Sequence, residues 1–260
     1  MKTNYYQLWQ NSAYGKEFFN TEINILKKNL KNIFGFHLLQ IGAEKLDYLE
    51  NLEDKLKINH RIVLSDNLSD KMPQNSSFKS TLYTKDNEIP LASETIDAVL
   101  ISHGLEQSTD PHGLLREVDR ILLPEGYMII LGFNPWSFWG LRKGLTVKKT
   151  SDMELDFPWD TKGKWFSSAR ICDWLSLLNY KIDFKKHYFY RPCIDNPNIL
   201  KYTAGFEMVG KIIPLGAAGF CIVAIKKQVA FELLRPKWQS ELSLVGKANY
   251  IEPSMRIKDN

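Results

Sequence analysis

The chain lacks the features of a membrane-spanning or a secreted protein. Its most apolar stretch, Met208–Ile225, is interrupted by Lys211 and Pro214, whereas a membrane-spanning helix needs ~20 predominantly apolar residues in succession. The first residues contain no apolar core of the kind that a secretion signal requires. We therefore expect neither a membrane span nor a signal peptide.

Cysteine is scarce and the net charge is small. The three cysteines, Cys172, Cys193 and Cys221, are scattered and form no CxxC pair, which argues against a disulfide framework and a zinc site. The 34 basic and 30 acidic residues leave a net charge of +4, which is not a strong nucleic-acid signature. Reduced thiols in a cytoplasmic protein without a metal are the expectation.

The sequence also lacks a dinucleotide-binding turn. An NAD-dependent enzyme on a parallel sheet needs a GxGxxG turn after its first strand. Here the segment Leu39–Leu46 reads LQIGAEKL and contains only Gly42. Because the GxGxxG turn is absent, we rank an NAD-dependent enzyme last among the functions that we consider.

What the chain does have is an alternation of strand and helix patterns. Hydrophobic residues make up 44% of its 260 residues, which is enough to bury a substantial core. The apolar spacing over Phe19–Ile33 predicts an amphipathic helix that Gly35 ends. Further helices are predicted at Glu44–Leu56, at Asp110–Leu122 and after Ser167. Seven apolar runs predict strands: His37–Ile41, Arg61–Ser65, Phe78–Tyr83, Ile96–Ser102, Tyr127–Phe133, Tyr180–Tyr188 and Gly219–Lys226.

These elements predict one α/β domain. Successive strand–helix–strand units build a parallel sheet with helices on both faces, and we expect the last two strands to pair antiparallel at one edge. The domain is predicted over residues 1–235, with residues 1–35 as a helical lid segment. The remaining residues, 236–260, are predicted to form a polar tail.

Three segments resemble a known family. Pro90–Val99 resembles the approach to the fourth strand of class I methyltransferases that use S-adenosylmethionine, and Leu114–Gly126 (LLREVDRILLPEG) resembles their next helix and turn. Phe133–Gly140 (FNPWSFWG) resembles a proteobacterial subgroup of methyltransferases of type 11. The resemblance implies a Rossmann-like methyltransferase fold with a mostly parallel, seven-stranded sheet, and S-adenosylmethionine as the cofactor.

The resemblance also implies cofactor-binding positions after the first strands. Gln40 stands where the family has an acid, and Gly42 is the one glycine kept in the turn. Glu44 replaces a later glycine, and its carboxylate either pairs with the cofactor's ammonium group or blocks the pocket. Asp66 matches the acid that accepts hydrogen bonds from the ribose hydroxyls, with turn capping as its alternative. Asp86 lies near the position that meets the adenine.

His103 follows the fourth predicted strand, where ligands of doubly wound sheets bind. It is a candidate cofactor contact and general base, because its reference pKa is near neutral, and a structural hydrogen bond is the alternative. Glu106 has the same two interpretations. Tyr14 and Gly15 are predicted to belong to the lid, with ordinary packing as their alternative.

The loop after the fifth strand contains candidate acceptor-binding residues. Asn134, Trp136 and Trp139 are predicted to wall the acceptor site together with Phe138, and a hydrophobic plug beneath the loop is the alternative. The run Asn134–Trp136 lacks the second proline of the Asn-Pro-Pro-aromatic motif of amino-methyltransferases, and it follows strand five instead of strand four. Methylation of a base nitrogen is therefore not predicted.

Two functions stay open. The first is transfer of a methyl group from S-adenosylmethionine to an unidentified acceptor, with a small molecule favoured; orientation of the reactants supplies most of the rate in such a displacement. The second is a catalytically inactive, methyltransferase-like binding or scaffold protein, which the degenerate loop after Gly42 suggests, since a fold alone does not fix a function.

Overall fold

The computed structural model describes residues 12–42, 48, 52, 57–65, 80–84, 88–146, 163–191 and 216–228. All of them belong to one compact unit, Met1–Gln228. The described helices are α1 (Ala13–Asn29), α2 (Gly104–Gln107), α3 (Pro111–Ile121), α4 (Phe138–Thr146) and α5 (Ser168–Leu177). The strands are β1 (Phe34–Ile41), β2 (Lys57–Ser65), β3 (Ser80–Tyr83), β4 (Ile96–Ser102), β5 (Leu122–Phe133), β6 (Tyr180–Tyr188) and β7 (Gly219–Lys226). The helix predicted at 44–56 and the tail predicted at 236–260 lie outside the described residues, apart from residues 48 and 52.

The strands form one seven-stranded sheet in the order β3-β2-β1-β4-β5-β7-β6. Strands β1 to β5 pair in parallel, whereas β7 runs antiparallel to both β5 and β6. The predicted fold, a mostly parallel Rossmann-like methyltransferase sheet, is therefore confirmed, and so is the antiparallel pairing of the last two strands. The strand order reverses at β1 and β4, and this reversal creates the crevice where such sheets bind ligands.

The sheet has a hydrophobic core on each face. Along a strand, alternate side chains point to opposite faces. Leu38 and Leu100 thus join a core cluster with α1, whereas Leu39 and Ile101 join a second cluster with α3 and α5. Helix α1 consequently covers one face, and α3 and α5 cover the other.

The start of β1 differs from the prediction. Helix α1 ends at Asn29, and a 3₁₀ turn covers Leu30–Asn32, so Gly35 does not end the helix but lies inside β1. A Cβ at Gly35 would lie 2.4 Å from the Asp97 Cβ atom. Asp97 Oδ2 accepts hydrogen bonds from the backbone N–H groups of Phe36 and His37, both at 2.9 Å. The glycine therefore admits a carboxylate that joins β1 to β4.

Two further bounds are corrected. Strand β5 begins at Leu122, five residues before the predicted Tyr127, and its pairing with β4 shifts register between Ile96 and Ala98. The break predicted at Pro124–Gly126 is thus an irregularity within the strand. The loop predicted after β5 ends in helix α4, which begins at Phe138.

The caps of α3 and α5 are as predicted. Asp110 precedes Pro111, and its side chain accepts a hydrogen bond from the Gly113 N–H at 2.9 Å. Ser167 caps α5 by accepting a hydrogen bond from the Arg170 N–H at 3.3 Å. Each cap satisfies a backbone donor that the first helical turn leaves without an intrahelical partner.

Candidate functional site

The candidate site lies at the carboxyl edge of the sheet, where β1 and β4 end side by side. Gly42 follows β1 with a φ of +75°, and a Cβ there would lie 2.6 Å from both the Gly104 Cα and the Ser102 carbonyl oxygen. The Ser102 hydroxyl donates a hydrogen bond to the Gly42 carbonyl at 3.0 Å. Only glycine fits this turn, because both the backbone conformation and the contacts exclude a side chain.

The structure describes only some of the residues that are predicted to bind the cofactor. Gln40 is fully buried in β1, where it is paired with Val63 of β2 and Leu100 of β4. Glu44, Asp66 and Asp86 lie outside the described residues, so their roles stay predictions. Ser65, the last residue of β2, lies at the same sheet edge as Gly42, and Asp66 is the next residue in the sequence.

His103 follows β4 directly and is completely buried. Its backbone is left-handed, with a φ of 53°, and it precedes the short helix α2. The imidazole Nε2 lies 3.0 Å from Oε1 of Glu22, which belongs to α1, and the ring stacks on Phe133 at a centroid distance of 4.3 Å. His103 thus joins the sheet edge to the N-terminal helix.

Glu22 is the centre of this contact and was not found from the sequence. Its side chain is 0% exposed. Besides contacting His103, it accepts hydrogen bonds from the hydroxyl groups of Tyr48, at 2.5 Å, and Tyr188. The sequence feature that could have revealed Glu22 is the presence of an acidic residue on the buried stripe of α1, four residues after Phe18.

The charge of His103 follows from these neighbours. Burial lowers the pKa of His103, but the carboxylates of Glu22 and Glu106 more than offset this effect and raise the pKa to about 9. Burial and the charge of Glu22 also raise the pKa of Tyr188 well above its ordinary value. At neutral pH His103 is therefore an imidazolium ion paired with Glu22. A protonated imidazole cannot accept a proton, and this geometry favours the structural interpretation over the general base.

Glu106 is the second buried acid at this edge. Its Oε1 accepts a hydrogen bond from the Phe133 N–H at 2.8 Å and lies 3.8 Å from His103 Nδ1. Its Oε2 is buried and has no hydrogen-bond partner among the described residues. Because a buried carboxylate oxygen is costly without a donor, a ligand with an N–H or O–H group fits this position.

Aromatic side chains fill the space beside β5. Phe18 of α1 contacts four buried rings at centroid distances of 5.2 to 5.4 Å. We call these five residues the aromatic cluster: Phe18, Phe133, Trp139, Tyr188 and Phe189. Tyr14, predicted to belong to the lid, is also buried and meets Trp139 edge to face. The cluster packs α1 onto the ends of β5 and β6.

The residues predicted to wall the acceptor site do not come together in one pocket. Trp139 is 0% exposed and its indole N–H donates to the Arg191 carbonyl at 2.9 Å, whereas Trp136 is 75% exposed. The Asn134 carboxamide oxygen accepts a hydrogen bond from the Trp136 N–H at 3.1 Å and so closes a local turn. Trp139 therefore packs beneath the loop, as the hydrophobic-plug alternative predicts. Trp136 and Phe138 lie on the surface.

The described ranges contain neither a cluster of metal ligands nor a membrane-spanning helix. Within them, no group of three or more His, Cys, Asp or Glu side chains is arranged to hold a metal ion. The helices described there are all too short or too polar to cross a bilayer.

Comparisons with known proteins agree with this architecture. A family model described as a methyltransferase domain matches residues 39–130, the segment that contains the end of β1, all of β2 to β4 and most of β5. A protein of Escherichia coli (strain K12), the uncharacterized protein YafS, is 35% identical over 175 residues. The matched part covers 67% of this chain and 65% of YafS, so the chain spans about two thirds of the length of that relative.

Solved structures with low sequence identity share the fold. A methyltransferase of Archaeoglobus fulgidus that depends on S-adenosylmethionine is 19% identical, with a TM-score of 0.54, and covers 82% of this chain and 98% of that chain. The [4+2]-cyclase SpnF is 11% identical, with a TM-score of 0.56, and covers 84% of this chain and 83% of that chain. These likenesses show the fold. The domain match makes residues 39–130 similar to a methyltransferase domain.

The described residues at the sheet edge are compatible with S-adenosylmethionine, the cofactor that the sequence resemblance implies. The turn at Gly42 brings the backbone after β1 against the end of β4 without a side chain, and this is the placement that lets a ligand lie over the edge of the sheet. Oε2 of Glu106 accepts no hydrogen bond from the described residues. An ammonium or hydroxyl group of a bound ligand is a suitable donor.

Proposed function

We propose that this protein binds S-adenosylmethionine over the carboxyl edge of β1 and β4 and transfers its methyl group to an acceptor. When bound, this cofactor supplies an electrophilic methyl group on a sulfonium ion. The protein's part is to hold the two reactants in line and to exclude water, and such positioning needs no acid–base triad. The acceptor is unidentified, and a small molecule is the favoured class.

The turn at Gly42 is the observation that carries this proposal. The loop after it departs from the glycine pattern of the family, but the first glycine is the one that the geometry requires. We infer that Gly42 turns the chain away from the ligand. Asp66 accepts hydrogen bonds from the ribose hydroxyls, and Oε2 of Glu106 accepts a further hydrogen bond from the ligand. Gln40, Glu44 and Asp86 keep their predicted roles around the same ligand.

Two charge pairs, one buried and one partly exposed, support the role of α1 as a lid. Glu22 of α1 pairs with His103 at the end of β4, and Glu17 of the same helix pairs with Arg191 after β6. We infer that these two pairs hold α1 over the sheet edge, so that His103 is a positioning residue and not a proton acceptor.

Cofactor binding is tested by isothermal titration calorimetry with S-adenosylhomocysteine. We expect the unaltered protein to bind this ligand with a dissociation constant in the micromolar range. We expect Asp66→Asn to weaken binding by about ten-fold or more, because a carboxylate that accepts two hydroxyl hydrogen bonds makes charge-assisted contacts.

Asp183→Asn is the matched control. Asp183 is an exposed acid on β6, which is the strand at the opposite edge of the sheet from β3 and β2. The substitution removes the same charge but lies away from the proposed site, so the affinity should stay unchanged. Equal losses in the two variants would show that Asp66 acts only through net charge.

A non-catalytic binding protein is the second candidate, and the aromatic cluster favours it. The rings of this cluster are buried beside β5. They occupy the described part of the side on which an acceptor is predicted to bind. If this candidate is correct, the protein does not bind S-adenosylhomocysteine, and Glu44→Gly combined with Leu46→Gly creates affinity. Micromolar binding by the unaltered protein excludes this candidate.

A further inference from the structure

Two histidines lie side by side on neighbouring strands of the sheet. His37 of β1 and His60 of β2 are register partners in the parallel pair. The residues two positions after them, Leu39 and Ile62, both join the core cluster on the face that α3 and α5 cover. Because side chains alternate between the faces of a sheet, the two imidazoles project from that same face. Their ring centroids are 5.6 Å apart.

This separation is close to that of two imidazoles on one metal ion. Each nitrogen ligand of a tetrahedral zinc site lies about 2.0–2.1 Å from the metal, so the ring centres of two such ligands are roughly 5 Å apart. The observed 5.6 Å therefore requires only a small adjustment of the side chains. The His37 side chain is 44% exposed, and His60 is exposed as well. A cation can thus reach both rings, and water can complete its coordination.

Asp97 of β4 stands behind this pair. Its Oδ2 lies 4.0 Å from Nδ1 of His37, and the backbone N–H groups of Phe36 and His37 hold this oxygen in place. Histidines that bind metals commonly direct their other ring nitrogen to a carboxylate or a carbonyl, which fixes the tautomer and the orientation of the ring. Asp97 is on the Nδ1 side of His37, so Nε2 is the nitrogen that can bind a metal. The three strands therefore provide two metal ligands, not a cluster of three.

We propose that His37 and His60 together bind a divalent transition-metal cation of the Zn²⁺ class. Imidazole nitrogen is a suitable ligand for such ions. Two imidazoles on paired strands form a chelate, because the first bond to the ion holds the second ligand beside it. Gly42 follows His37 by five residues, which is roughly 17 Å along a strand at about 3.3 Å per residue. The metal site is therefore separate from the proposed cofactor site, and this inference does not depend on methyl transfer.

Isothermal titration calorimetry of the full chain with zinc chloride tests the proposal. We expect the unaltered protein to bind Zn²⁺ with a dissociation constant in the micromolar range. His37→Asn and His60→Asn should each weaken this binding by about ten-fold or more, because a single imidazole no longer forms a chelate. The double variant should lose little more affinity than either single variant, since residues that act as one site are not additive.

His112→Asn is the matched control. His112 is exposed on α3, where its ring lies against that of Trp174, so the substitution removes an imidazole outside the pair and should leave Zn²⁺ binding unchanged. The proposal is overturned if the unaltered protein binds no Zn²⁺, or if His37→Asn and His60→Asn bind it as tightly as the control. It is also overturned if the two single losses add up in the double variant, since each histidine then belongs to a different site. Calorimetry with S-adenosylhomocysteine reports separately on the proposed cofactor site.

Discussion

Replacing Glu22 with alanine is expected to lower the free energy of unfolding by about 3–5 kcal/mol, because removing one partner of a buried ion pair leaves the other charge without compensation. The imidazolium of His103 would keep its buried position, with its Nε2 no longer facing the carboxylate at 3.0 Å. The hydroxyls of Tyr48 and Tyr188 would also lose their acceptor. Urea unfolding followed by circular dichroism measures the loss.

Glu17→Ala provides the control for this variant. Glu17 lies on the same helix and is paired with Arg191, but its side chain is 46% exposed. Exposed pairs contribute about 0–1 kcal/mol, so a small effect is expected. If Glu22→Ala does not fold, Glu22→Gln keeps an acceptor for the tyrosines and should be destabilised less severely. Equal effects of Glu17→Ala and Glu22→Ala would contradict the buried ion pair.

Raising the pH is expected to weaken the fold through His103. The pKa of His103 is about 9 in the folded protein, above its ordinary value of 6.5. A raised pKa means that the folded state holds the proton more tightly, so this stabilisation is complete below pH 6.5 and disappears as the pH rises through 9. The difference corresponds to roughly 3 kcal/mol, since one pKa unit equals about 1.4 kcal/mol.

The comparison variant for the pH series is His103→Asn. Asparagine tolerates the left-handed backbone of this position but does not titrate, so its unfolding free energy should change much less between pH 6.5 and 9.5. His112→Asn, an exposed position on α3, should keep the pH dependence of the unaltered protein. Burial and Lys185 lower the pKa of His187, and its titration therefore falls below this window. A flat profile in the unaltered protein would contradict a charged His103.

Local patterns in the sequence were sufficient to predict the architecture. Continuous apolar runs such as Ile96–Ser102 belong to strands that are covered on both faces, and the Asp110–Pro111 pair begins a helix as predicted. Gly35 misled the prediction, because a glycine after a helical stripe resembles a helix end. Its actual role is to admit Asp97, a residue 62 positions later in the chain, and spacing alone does not reveal such a partner.

The candidate site was predicted only in part for the same reason. His103 and Glu106 were found because the fold places ligands at the ends of strands. Glu22, Tyr48 and Tyr188 were missed, since they meet at one carboxylate from positions that are 26 and 166 residues apart from Glu22. A lone acid on the buried stripe of α1 indicates a buried partner, but the sequence does not identify that partner.

A crystal structure of the protein with S-adenosylhomocysteine tests the central claim most directly. The claim predicts density for an adenosyl group above the turn at Gly42, with the ribose hydroxyls against the Asp66 carboxylate. Side chains of the segment after Gly42 filling that space, with no nucleoside bound at saturating ligand, would contradict it.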